Sequence, residues 1–157
     1  MDTPYFQVSF RPNVRLVSTV RKFTEEFYAR MLGDREMSEK LGLATHELLE
    51  NAVTYASDGE TAIRVELSDD HLVVSTWNRV SPEQLASLAT MFDEMNGTPP
   101  DAYYQVVMNR AAHRTDGSGL GLARVRAEAE MTVSYEVIDD RVCIRARTGL
   151  KSTGGRS

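Results

Sequence analysis

The amino-acid sequence predicts an α+β fold, a two-layer sandwich with a mostly antiparallel, mixed sheet and helices packed on one face. Three observations carry this expectation. Runs with the 3.6-residue spacing of amphipathic helices are distinct from runs with the two-residue alternation of strands. The strands at residues 61–68 and 71–77, and those in the last quarter of the chain, form two pairs, each joined across an Asp-Asp turn. In chain order the elements read β, α, α, β, β, α, α, α, β, β, which separates helices from sheet instead of alternating them.

Each element has its own local reason. "YFQVSF" alternates like a short strand. "NVRLVSTVRKFTEEFYARML" places Val14, Val17, Val20, Phe23, Phe27 and Met31 at helical spacing. "GDREMS" interrupts that run, and Ser38 is the expected N-cap of a second helix over residues 39–56. "SDGE" is a turn, followed by the strands "TAIRVELS" and "HLVVSTW". Ser81-Pro82-Glu83 opens a helix with a capping hydroxyl and proline at the first helical position. Short helices are expected over residues 104–112 and 120–130, and the strands "TVSYEVI" and "RVCIRART" close the fold.

The chain has 157 residues, enough for one domain with a sizeable core, expected to span residues 1–150 with a disordered tail at 151–157. A net charge of −5 argues against a broad nucleic-acid or anionic-membrane surface. The single cysteine, Cys143, excludes an internal disulfide framework and is expected as a buried strand residue. Apolar runs are too short for a membrane helix and the first residues lack signal-peptide character, which predicts a cytoplasmic protein.

Two clusters carry chemistry. In "THELLENAVTYA", Leu41, Ala44, Leu48, Ala52 and Tyr55 share one helical face, the expected core stripe. Glu47 and Asn51, four residues apart, are neighbours along its border, where a carboxylate is half buried and can be positioned. His46 falls on the other flank and Glu50 further out. "HEL" also opens the phosphoacceptor motif of sensor histidine kinases, but the proline and long helical hairpin of that motif are absent, so His46 reads as helix surface.

In "RTDGSGLGLARVRAEAE", Gly117, Gly119 and Gly121 alternate with Ser118 and Leu120 just before a helix. Glycines let backbone approach an anion closely, and the helix N-terminus beyond offers unpaired N–H groups. Arg110, His113 and Arg114 lie just upstream as candidate countercharge, with Arg114 nearest the glycines. The stretch does not follow a strand, so neither the P-loop nor the dinucleotide fingerprint applies.

Together the clusters resemble the GHKL superfamily of gyrase, Hsp90, histidine-kinase and MutL type ATP-binding domains. Glu47-x-x-x-Asn51-Ala52 is similar to its N box, and Gly117-Ser118-Gly119-Leu120-Gly121-Leu122 to its G2 box, about seventy residues on. The strand–helix–helix opening resembles the small anti-sigma-factor serine kinases. The resemblance implies a Bergerat-type fold, ATP and Mg²⁺ as cofactors, Glu47 as general base or water-orienting residue and Asn51 as Mg²⁺ ligand. It assigns Gly117, Ser118, Gly119, Leu120 and Gly121 to the phosphate cradle and lid hinge. Where the family's G1 box reads Asp-x-Gly-x-Gly, this chain reads Asn78-Arg79-Val80-Ser81-Pro82. Asn78 offers a neutral acceptor to the adenine amino group, and Arg79 and Val80 add bulk, so adenine recognition is the expected weak point.

The resemblance implies a kinase acting on a serine or threonine of a small antagonist protein of the anti-anti-sigma type, or sequestering a sigma factor. It also implies a homodimer through Val14, Val17 and the N-terminal strand. Two other readings stay open: a degenerate GHKL module that has lost nucleotide and binds protein, and the ATP-binding subunit of a split histidine kinase.

Overall fold

The computed structural model describes residues 5–113 and 119–150. The expected tail at 151–157 lies outside them. Strands β1 (Tyr5–Phe10), β2 (Thr61–Leu67), β3 (His71–Arg79), β4 (Thr132–Ile138) and β5 (Arg141–Gly149) form one sheet in the order β1-β2-β3-β5-β4. Helices α1 (Val14–Leu32), α2 (Arg35–Tyr55), α3 (Pro82–Asn96), α4 (Pro100–His113) and α5 (Leu120–Ala127) complete the predicted order. Each of the four pairings is antiparallel, so the sheet is antiparallel where the sequence left room for a mixed one.

Strand alternation sorts the two faces. Ile63, Val65, Leu72, Val74, Ile144 and Ala146 are buried against the helices. The opposite face carries Arg64, Glu66 and Arg145. The Asp-Asp turns place β2 beside β3 and β4 beside β5, and β3–β5 pairing from His71↔Gly149 to Arg79↔Arg141 joins the two hairpins. Cys143 is buried, and burial pushes its thiol up to about 11, well away from a nucleophile's range.

Helix α2 is the core helix. Leu41, Ala44, Leu48 and Ala52 are buried as the stripe predicts. Each buried leucine contributes about 1.5–3 kcal/mol. The start of α2 corrects the sequence reading. Asp34, not Ser38, is the N-cap, its Oδ1 accepting from the Met37 amide at 3.1 Å. Ser38 lies inside the helix, buried against α1, and donates to the Glu25 carbonyl at 2.8 Å. Both residues suit a cap, but Asp34 follows Gly33, where α1 ends.

Helix α1 divides its apolar residues. Val17, Val20 and Tyr28 enter the core, and Tyr28 donates to the Val65 carbonyl at 3.0 Å. Val14, Phe23, Phe27 and Met31 stay exposed, and Phe23 and Phe27 form a row of rings with Phe6 of β1. Ser81 and Gln84 form the reciprocal capping box that starts α3. Helix α4 starts earlier than expected and α5 ends at Ala127, two turns long.

Candidate functional site

The site forms where α2, β3, α3, α4 and the start of α5 converge on a cavity of about 430 Å³. That volume lies within the range of small-molecule sites. Asn51 and Tyr55 reach it from α2, Asn78 from the end of β3 and Gly119 from the start of α5. Val142 and Ile144 of β5 form an apolar floor, with Leu88 and Met91 of α3 on a wall. Of the residues singled out in the sequence, Asn51, Asn78, Arg110 and Gly119 therefore meet in one cavity, whereas Glu47, Leu120 and Gly121 are not among its lining residues. Gly117, Ser118 and Arg114 lie outside the described residues.

Glu47 stands one helical turn before Asn51 and is more deeply placed than a border position implies, 9% exposed. The cause is α5, which crosses directly over its carboxylate. A β-carbon at residue 121 would overlap Glu47 Oε2, so only glycine permits this approach. At the helix start, Gly119 has φ 87°, a left-handed conformation that glycine adopts without strain, and Leu120 begins the helix.

The electrostatics of Glu47 are a balance of burial and charge. Desolvation is the largest influence and raises its carboxyl above the usual carboxylate range; Arg124, then His46 and Arg21, pull it back, and Glu50 pushes it up. Arg124 of α5 places Nη1 3.4 Å from Glu47 Oε1 and Nε 3.7 Å from Glu128. A carboxylate whose basicity is raised by burial and which is steered by one guanidinium is a better proton acceptor than a free one. His46 does not share that position; its Nε2 lies 3.3 Å from Glu50 on the flank of α2.

Asn78 is nearly fully buried, and its Nδ2 donates to the Arg79 carbonyl at 3.1 Å. That bond fixes which end of the amide is the donor. Oδ1 is then the end left to accept from a ligand's amino group. Arg79 does not fill the cavity as its bulk suggested. It turns away to Asp140 at 3.0 Å and Asp58 at 3.6 Å, and Asn78 and Val80 are the residues of the altered motif that line the cavity.

Asn51 and Asn78 thus line a cavity of nucleoside size, and Glu47 stands one turn of α2 before Asn51. The family model for the histidine kinase-like ATPase domain matches residues 10–147. The chain belongs to this family. Members of the histidine kinase-like ATPase family bind ATP with Mg²⁺ in general. A chain in the crystal structure of the SiaB–SiaC complex from Pseudomonas aeruginosa is similar in fold, with a TM-score of 0.64 and 18% identity. The match covers 91% of this chain and 89% of that one. No curated protein matches this chain.

The residues present fit the family's cofactors. The apolar floor suits a base, Asn78 Oδ1 suits an amino group, and Asn51 is an oxygen donor of the kind Mg²⁺ accepts. Among the described residues no group of three or more His, Cys, Asp or Glu side chains forms a metal cage. A magnesium ion here would rely on Asn51, phosphate oxygens and water.

Four contributors escaped the sequence reading. Arg124 lies three positions after Gly121, on the helix face that meets Glu47, and that spacing was the available signal. Tyr103 and Glu94 line the cavity from elements that carry no motif. Arg126, on the same short helix, donates from Nη1 to the Met95 carbonyl at 3.0 Å and from Nη2 to the Thr98 carbonyl at 3.1 Å. It thereby fastens α5 to the end of α3. Among the described residues no helix is long and apolar enough to cross a membrane.

Proposed function

We propose that this chain is an ATP-dependent serine/threonine protein kinase of the anti-sigma-factor type, acting on a small partner protein in a partner-switching signal. The observation that carries the reading is the Glu47–Asn51 pair on α2, with Asn51 facing the cavity that Asn78 and Gly119 also line. Asn51 would hold the Mg²⁺, Asn78 Oδ1 would accept from the adenine amino group, and the backbone at Gly119 would be open to close approach by an anion. Gly117, Ser118, Leu120, Gly121 and Arg114 complete the glycine-rich segment around them. Bound Mg-ATP supplies the phosphoryl group. Glu47 accepts the proton of the partner's Ser or Thr hydroxyl at a carboxylate oxygen, and Arg124 keeps that carboxylate aimed.

The experiment that tests the reading is titration calorimetry of the chain with ATP or a non-hydrolysable analogue, with and without Mg²⁺. Binding at micromolar to sub-millimolar affinity that depends on Mg²⁺ is the expected result. Asn51→Ala should weaken Mg-ATP about tenfold while changing Mg-free nucleotide little. Indifference to Mg²⁺ in both proteins removes Asn51 from the site.

A second reading rests on the altered Asn78-Arg79-Val80 segment, which lacks the family's aspartate and glycines. In that reading the chain is a protein-binding module without nucleotide, and absence of binding at millimolar ATP decides for it.

A small protein partner, an anti-anti-sigma-like antagonist or a sigma factor, fits both readings, and the fold likeness to a chain of a two-protein complex supports it. The homodimer belongs to the same proposal, with a revised surface. Val17 is buried in the core and unavailable. Phe23 and Phe27, 43% and 42% exposed beside the edge strand β1, are the residues that can meet a second copy. The double substitution Phe23→Ser, Phe27→Ser should convert a dimer to a monomer in sedimentation velocity. A wild-type chain that is monomeric at all concentrations ends this part of the reading.

A further inference from the structure

The nucleotide reading leaves one ion pair on the cavity wall unused. Arg110 of α4 and Glu94 of α3 both line the cavity, and Arg110 Nη2 lies 2.6 Å from Glu94 Oε1. The side chains are 52% and 37% exposed, so the pair contributes little to holding α3 against α4. The pair faces the cavity, and its guanidinium is therefore within reach of a ligand there.

Its place along the cavity identifies which part of a ligand it meets. Helix α3 begins three residues after Arg79, so Glu83 and Gln84 lie at the Asn78 end. Glu94 is eleven residues further on, about 16 Å along the helix. That is the end at which α5 starts. A β-carbon on Gly119 would stand 3.0 Å from Met91 Sδ and 3.6 Å from the Tyr103 hydroxyl oxygen. Met91 is one turn before Glu94 on α3, and Tyr103 feels the charges of both Glu94 and Arg110. The pair therefore belongs to the end marked by Gly119, opposite the base-binding amide.

Charge adds a second argument. Among the described lining residues, Glu83 and Glu94 are carboxylates and Arg110 is the only cation. A polyphosphate entering this cavity meets net negative charge unless Arg110 turns to it. The guanidinium fork can exchange one carboxylate for two phosphate oxygens without leaving water.

We propose that Arg110 is a phosphate-binding residue, held by Glu94 in the absence of ligand and transferred to the phosphates on binding, with Glu94 acting as the competitor that sets how tightly polyphosphate is held. The inference rests on the nucleotide reading and deepens it by assigning triphosphate discrimination to one ion pair.

Titration calorimetry of the full chain with Mg-ATP, adenosine and inorganic tripolyphosphate tests it. Arg110→Met should weaken Mg-ATP and tripolyphosphate about tenfold, leave adenosine unchanged, and be partly rescued by Arg110→Lys. Glu94→Gln should tighten Mg-ATP by about two- to fivefold, because it removes both the competitor and a repelling charge. If wild type binds Mg-ATP and Arg110→Met binds it equally well, the Arg110 assignment falls and the nucleotide reading stands. If adenosine and Mg-ATP weaken together, Arg110 merely supports the wall and the assignment is overturned. Should Arg110→Met fail to fold, Glu94→Gln decides: an unchanged Kd for Mg-ATP overturns the exchange. If wild type binds neither Mg-ATP nor tripolyphosphate, both readings fall together.

Discussion

Replacing Glu47 with glutamine is expected to lower phosphoryl transfer to the partner by about two to four orders of magnitude, the usual contribution of a positioned general base. Mg-ATP binding should survive, because Asn51, Asn78 and Gly119 line the cavity independently of that carboxylate. Glutamine keeps the shape under Gly121 and removes the basicity together with the charge that pairs with Arg124. The same substitution has a second, opposite effect on stability. Burial raises the Glu47 carboxyl above its ordinary range, so the folded state binds the proton more tightly than the unfolded state. Stability from this group is therefore greatest below the ordinary glutamate pKa and is lost as pH rises through the elevated folded value. Glutamine carries no such penalty. Its melting temperature should exceed that of wild type at neutral pH, and the gap should close on acidification. Thermal melts from about pH 4, near the ordinary glutamate value, upward to pH 8 read the sign of the effect. Equal transfer rates in the two proteins would sink the catalytic role, and a gap that widens on acidification would contradict the assigned direction.

Gly121→Ala should cost about 1–3 kcal/mol of stability, the range for overpacking a well-filled interior. Alanine is the better helix former by about 1 kcal/mol, which offsets part of this but not all. The decisive point is what the new methyl meets. It would overlap the Glu47 carboxylate, which is buried beneath α5 and cannot swing freely into water. Either α5 lifts or Glu47 moves, and a displacement of about 1 Å at a catalytic group costs on the order of a hundredfold in rate. The pair can be separated by a double-mutant cycle. In a Glu47→Ala background the methyl has room, so Gly121→Ala should become neutral or mildly stabilising in denaturant melts. A cost that persists undiminished in that background would show that the glycine answers to something other than the carboxylate.

The fold was legible because its signals are local. Each strand pair is closed by its own Asp-Asp turn, the Ser81–Gln84 capping box marks α3 within four residues, and the α2 stripe repeats without interruption. Much of the site was legible for a related reason: Glu47 and Asn51 are one turn apart, and the glycines cluster before a helix. What stayed hidden depends on contacts between distant segments. Glu47 reads as a border residue until α5, more than seventy residues later, is laid across it. Phe23 and Phe27 match a core pattern, yet the side of α1 that enters the core is already occupied by its own Val17, Val20 and Tyr28. Arg79 looked obstructive because its partners, Asp58 and Asp140, sit in turns on either side of β3 in sequence. Ion pairs of this kind follow no periodicity.

Helix α5 grips the molecule at both of its ends. Gly121 and Arg124 bear on the Glu47 carboxylate, while Arg126 is tied to the carbonyls of Met95 and Thr98 where α3 gives way to α4. Two turns of helix are too short to bend between those grips. The two contacts therefore share one short rigid body, and a tilt imposed at the α3–α4 corner is expected to reach the Glu47 carboxylate as well. If Glu47 is the proton acceptor proposed above, leverage over it is available from a surface that never touches it.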